Sequence, residues 1–133
     1  MARSLQISCL WTLVTYVLLV SQLQAEHWPS WRGPLGNGIS SDTNVVIRWD
    51  KDTNVAWRLP LPGKAGATPA VWDDRIFVTS KDGDNLVLIC IGTDGKKRWQ
   101  RTVGGQDRFV RGDEGNMASP SPVTDGKHVW SAM

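Results

Sequence analysis

Apolar side chains occupy every position from Leu86 to Ile91, and this unbroken run leads through a polar turn into a short basic stretch that ends in Trp99. A strand with one wet face alternates apolar and polar residues, whereas a strand covered on both faces reads as a continuous run. The run is too short for a helix and the right length for a strand. Asp94-Gly95 marks a hairpin, because glycine accepts the positive φ that tight turns require. Leu86–Trp99 therefore predicts two antiparallel strands inside a sheet that is covered on both sides.

The flanking pattern extends that sheet. Arg75–Ser80 is rich in β formers and predicts a strand, preceded by a turn at Asp73-Asp74 and a brief strand at Thr68–Val71. Lys81–Asn85 is a second turn, Arg98–Val103 the next strand, and Gly104–Met117 a long polar loop. Ser121–Val123 and His128–Ala132 predict a last pair of strands around Asp125-Gly126. Upstream, Asn54–Leu61 reads as a strand with Pro60 at an edge or an end, and Val45–Trp49 as a shorter one. Pro29, Gly33 and Pro34 exclude a helix from the opening stretch, where Trp28 and Trp31 are expected to be buried anchors of an extended arm. No sustained helical period follows residue 25, so the fold class is all-β.

The first 25 residues have a different pattern. Arg3 supplies a positive start, Ile7–Val20 an apolar stretch, and Ser21–Ala25 a polar end with a small last residue. This is the layout of a secretory signal peptide, with cleavage expected after Ala25. The alternative, an uncleaved anchor, needs about 20 apolar residues, more than this run provides. No cysteine stands at the cleavage point, so a lipoprotein signal is not supported. Cys9 leaves with the signal, and Cys90 remains alone, with no disulfide partner. Its place inside the apolar run predicts a buried small hydrophobe rather than a reactive thiol. The expected organisation is a signal peptide at 1–25, an extended arm at 26–53 and a strand-rich repeat region at 54–133. The expected location is outside the cytoplasm, periplasmic or extracellular.

Composition adds two points. A formal net charge of +2 is too small to argue for nucleic acid or an anionic membrane surface as partner. Eight tryptophans against one tyrosine and two phenylalanines call for a recurring Trp position. One is found. Trp72–Thr79 aligns with Thr124–Ser131 at an offset of 52 residues, and Val55–Leu59 aligns with Lys97–Arg101 at an offset of 42, bringing Trp57 onto Trp99. One insertion in the Gly104–Met117 loop reconciles the two offsets. A strand-rich unit of about 40 residues with one tryptophan is the signature of a propeller blade. In such a blade both faces of each sheet pack against neighbours. That explains the unbroken run, since exposed apolar area costs roughly 25 cal/mol per Å².

Arg75-Ile76-Phe77-Val78 followed by Leu88–Trp99, with Asp94-Gly95-Lys96 and Trp99, resembles the tryptophan-docking repeat of the pyrroloquinoline-quinone (PQQ)-like β-propellers, Ala-x-Asp-x-x-Thr-Gly-x-x-x-Trp. The opening Trp28-Pro29-Ser30-Trp31-Arg32-Gly33-Pro34 and the Ser119–Gly126 segment resemble secreted bacterial members of that superfamily. Gly95 and Trp99 match the repeat. Asp94 stands for its Thr, and Ile89 and Ile91 stand at its Ala and Asp positions, so this copy is degenerate and weakens any inference to a working quinone site. The resemblance implies a ring of seven or eight blades, roughly 300 residues or more. On that expectation the chain is an N-terminal fragment or truncated product: a partial β-propeller of about one and a half four-stranded antiparallel blades. Its first partners are the remaining blades, and Asn54–Leu61 is the outer strand that closes the ring against the last of them.

The candidate chemistry is sparse. Asp82-Gly83-Asp84-Asn85 starts like a calcium loop, but Leu86 and Val87 occupy the places where a further oxygen ligand and a glycine belong, so turn formation is the better reading. Asp73-Asp74 and Asp125-Gly126 recur at equivalent repeat positions, which argues for turns over an acid–base pair. Arg108, Arg111, Asp113, Glu114 and Asn116 in the long loop read as a solvated insertion ahead of a binding rim, and Arg111-Gly112-Asp113 as a chance tripeptide. His27 and His128 lack the spacing of metal ligands. No catalytic, cofactor-binding or metal-binding residue is assigned. The expected function is a non-catalytic exported propeller scaffold that makes protein or ligand contacts, with no cofactor and no nucleic-acid partner, and with membrane contact only if the N-terminal segment stays uncleaved. The alternative implied by the resemblance is the N-terminal part of a PQQ- and calcium-dependent alcohol or sugar dehydrogenase.

Overall fold

Four antiparallel strands in chain order build one sheet: β1 (Ala70–Trp72), β2 (Arg75–Asp82), β3 (Asn85–Gly92) and β4 (Lys97–Gly105). A second, two-stranded sheet follows with β5 (Val123–Thr124) and β6 (Val129–Trp130). The computed structural model describes residues 26–105 and 117–132. The expected signal peptide and the Arg108–Asn116 loop lie outside them. No helix occurs among the described residues, and the architecture is a partial β-propeller: one blade and the first hairpin of the next.

Residue alternation explains the blade. In β2, Phe77 points to one face and Val78 to the other, and in β3 Leu88 and Cys90 oppose Val87, Ile89 and Ile91 in the same way. All of these side chains are buried. Within the sheet Trp72 and Trp99 extend the first face and Ile76 the second; from outside it, Val129 packs on the first face and Leu59 on the second. Segments from outside the sheet therefore reach both faces of the blade. Two buried hydroxyls fasten the covering segments. Thr79 Oγ1 donates to Ala118 O (2.6 Å) on one side, and Ser80 Oγ donates to Gly63 O (2.9 Å) on the other.

Register follows the turns. Trp72 opposes Arg75 and Asp82 opposes Asn85, so each of the first two hairpins closes through two residues. β3 and β4 slip twice, between Leu86 and Val87 and between Cys90 and Ile91, which adds the local twist that bulges produce. The second blade's hairpin is longer than the gapless sequence alignment implies. Thr124 opposes Val129 and the chain closes through Asp125–His128, so Trp130 rather than His128 faces Val123.

Three upstream expectations need correction. Val45–Trp49 forms no strand and is exposed. Asn54–Leu61 forms no strand, because none of the described residues pairs with its backbone in a ladder. Trp31 is no buried anchor: it is 62% exposed, with the Arg32 guanidinium 4.7 Å from its ring, because the chain turns away from the sheet after Pro29. Trp28 does anchor the arm. It forms an antiparallel bridge with Val71 on the free edge of β1.

Candidate functional site

The turns at one end of the blade come together. Thr93 N–H donates to Asp74 O (3.0 Å), which sets the β3–β4 turn beside the β1–β2 turn. Arg75 Nη2 donates to Gly126 O (3.0 Å), which draws in the β5–β6 turn of the next blade. The Trp72 indole packs directly on Gly126. His27 lies on the Trp72 ring, with ring centroids 4.2 Å apart and planes within 8°. From the other side, Trp57 Nε1 donates to Thr93 O (2.8 Å). The result is a rim of aromatic, cationic and anionic side chains on short turns, held by the rigid sheet beneath.

Every acid of this rim whose titration is shifted is tied to a local donor. Arg98 Nη2 stands 2.6 Å from Asp74 Oδ2, and this charged hydrogen bond holds the Asp74 carboxyl below the usual range and pushes the Arg98 guanidinium up. Asp125 accepts the backbone N–H groups of His128 (2.6 Å) and Lys127 (2.9 Å), and these bonds lower its carboxyl likewise. Asp73 sits at positive φ (51°) between His27 Nε2 (3.6 Å) and Arg75 Nη2 (3.9 Å). Such groups are committed to shaping turns. A general acid or base must instead have a free lone pair or proton aimed at substrate.

The structure distributes the residues singled out in the sequence. Asp73, Asp74, Asp125 and Gly126 do meet at the rim. His27 and His128 do not share a ligand: the first pairs with Trp72 and Asp73, the second with Asp125 (3.3 Å). Asp82-Gly83-Asp84-Asn85 is the β2–β3 turn at the opposite end of the blade, where Asp82 Oδ2 accepts from Gln100 Nε2 (2.8 Å). Cys90 is fully buried, and burial pushes its thiol up. The His27–Trp72 stack and the Trp57–Thr93 bond escaped sequence reasoning. The 42-residue Trp repeat was a signal for the latter; nothing local marks the former.

The Trp72 indole carries the contact from the four-stranded blade to the next hairpin, and the family described as outer membrane protein assembly factor BamB matches residues 37–119. The chain belongs to this family. Its PQQ-like repeat spans the arm from Asn37, the whole four-stranded blade and the segment that Thr79 fastens. No curated protein and no solved structure matches the chain. Among the described residues no group of three or more His, Cys, Asp or Glu side chains stands close enough to hold a metal ion. An open hollow of about 480 Å³ lies at Ile47–Asp50 and Thr53, on the coiled arm. It lacks the enclosing walls of a cofactor pocket.

Outside the rim, the arm carries the largest exposed apolar set. Leu35, Ile39, Val45, Val46, Ile47 and Trp49 are all more than half exposed. Among the described residues no helix is long and apolar enough to cross a membrane.

Proposed function

We propose that this protein is an exported β-propeller scaffold that works through protein or ligand contacts and has no catalytic step of its own. The observation that carries this reading is the pairing of two surfaces. The rim presents aromatic and charged groups already committed to rigid turns, and the arm presents exposed Val45, Val46, Ile47 and Trp49 with no strand partner among the described residues. Contiguous apolar exposure of this kind marks an interaction surface. The family's name describes an assembly factor for outer membrane proteins, and contact with protein partners is the part of that role carried over here. The signal-like segment at 1–25 supports a periplasmic or extracellular location, with the arm at 26–53 and the repeat region at 54–133 as the exported parts. Further blades are the first partners of the repeat region, and nucleic acid is not among its partners.

The test uses the full chain. It is mixed with PQQ and calcium, then with alcohols and sugars and a redox dye. The scaffold reading expects no bound chromophore and no dye reduction; sustained turnover would replace it with the dehydrogenase reading. A photo-crosslinking residue at Ile47, compared with one at Asp84, tests the contact surface. The scaffold reading expects protein adducts at the first position and few at the second.

A further inference from the structure

Residues 26–38 fold on themselves. Gly33 N–H donates to Ser30 O (2.9 Å), Gly36 N–H to Gly33 O (3.3 Å) and Gly38 N–H to Arg32 O (2.9 Å). The Trp28 ring packs on Gly33, which has a φ of +73°, and a Cβ at that position would lie 2.8 Å from Trp28 Cζ3. Glu26 closes the unit by accepting from Ser40 Oγ (2.7 Å) and Ser41 N–H (2.9 Å).

This unit reaches the blades through a narrow set of contacts. Trp28 N–H donates to Val71 O (2.9 Å), Val71 N–H to Trp28 O (2.8 Å) and Thr124 N–H to Pro29 O (2.9 Å). His27 adds its stack on Trp72, and its Nδ1 accepts Asp73 N–H (3.3 Å). Val71 belongs to β1 and Thr124 to β5, the first strands of successive blades, and these two strands lie against each other. Successive blades approach most closely at the propeller axis, so these are inner edges. Trp28 and Pro29 span both. Pro29 has no N–H to offer, and the register asks only for its carbonyl.

We infer that the inner edges of β1 and β5 form a docking site whose occupant is the chain's own Trp-Pro segment, residues 27–33: residues 27–29 engage the edges, the turn that follows stands off them, and the whole is held as a separable clasp across two blades. Recognition is by strand addition: backbone hydrogen bonds give the attachment, and the rings at positions 27 and 28 give the sequence preference. The clasp also removes a free sheet edge that would otherwise pair with other chains. None of this depends on whether the protein is catalytic.

The test is made in the full chain with a site-specific protease sequence inserted between Asn44 and Val45. After cleavage, a fluorescent peptide covering residues 26–38 should exchange into the protein and remain excluded from the uncleaved chain, as read by anisotropy. The same peptide with Trp28→Ala should bind at least about tenfold more weakly, as loss of an anchoring tryptophan does. Hydrogen exchange on the intact Trp28→Ala chain gives a second reading. The amides of Val71 and Thr124 should lose protection while the central amides of β2 and β3 keep theirs. Equal binding of the two peptides, no exchange into a cleaved protein whose β2–β3 amides stay protected, or unchanged protection at Val71 and Thr124 would overturn the docking site. Loss of β2–β3 protection together with the arm would show that the arm is part of the blade core and not a clasp.

Discussion

The indole of Trp57 occupies the space where a side chain of residue 95 would stand. A Cβ built on Gly95 would lie 2.6 Å from Trp57 Cγ, and Gly95 has a φ of +80°. Two independent requirements, close approach and left-handed backbone, thus meet at one glycine. Gly95→Ala should destabilise the fold by roughly 1–3 kcal/mol from backbone strain alone, with the clash added to it. Trp57→Phe keeps an aromatic ring on the turn and loses the bond to Thr93 O, for about 0.5–1.5 kcal/mol. Denaturant midpoints of the two variants check the order: the glycine substitution should cost more.

Thr79 and Ile89 separate two ways of holding the blade. Ile89 is 1% exposed within the second-face cluster, so Ile89→Ala should cost about 2–5 kcal/mol by leaving a cavity. Thr79→Val preserves shape but leaves the carbonyl of buried Ala118 without its 2.6 Å donor. The expected loss is about 1–3 kcal/mol. Val103 is 46% exposed, and its replacement by Ala serves as the control, within about 0.5 kcal/mol of the parent. A thermal scan of the three variants reads all of these.

Cys90 should be chemically silent in the folded chain. Its side chain is inaccessible, and burial disfavours the thiolate that thiol reagents need. Mass-spectrometric mapping after exposure to an alkylating reagent should find Cys90 unmodified under native conditions and fully modified in denaturant. Native labelling at a rate close to that of the unfolded chain would contradict the burial.

Acid should weaken the rim in a defined direction. Asp74 is held below the usual carboxylate range by its hydrogen bond from Arg98, and Asp125 by the amides of His128 and Lys127. The unfolded chain therefore binds more protons than the folded one between the folded and unfolded values, and stability rises with pH across that window. The contribution is complete above about pH 4, the ordinary aspartate value, and disappears as pH falls through the lower folded values. Both groups are exposed, so the effect is modest and screened by salt. Asp74→Asn should flatten the acid limb of a stability-versus-pH curve at low ionic strength and change little at 1 M salt.

The alternation of side chains carried the blade. An apolar run such as Leu86–Ile91 can satisfy its backbone and hide both faces only as an inner strand of a covered sheet, and the glycines and aspartates between strands allow few turns. The four-stranded order, the burial of Cys90 and the all-β class were therefore legible from local physics. The long-range partners were not. Val45–Trp49 has the composition of a strand, yet a strand needs an edge to pair with, and none of the described residues supplies one. Trp28 and Trp31 look alike in sequence; the Val71 edge takes the first, and the turn after Pro29 sends the second into solvent. His27 on Trp72, and Trp57 over Gly95, depend on residues 45 and 38 positions apart being brought together by the sheet. Local pattern reports which residues want to be covered. Only the packed structure decides what covers them, because that choice belongs to the geometry of distant segments and not to any one stretch of chain.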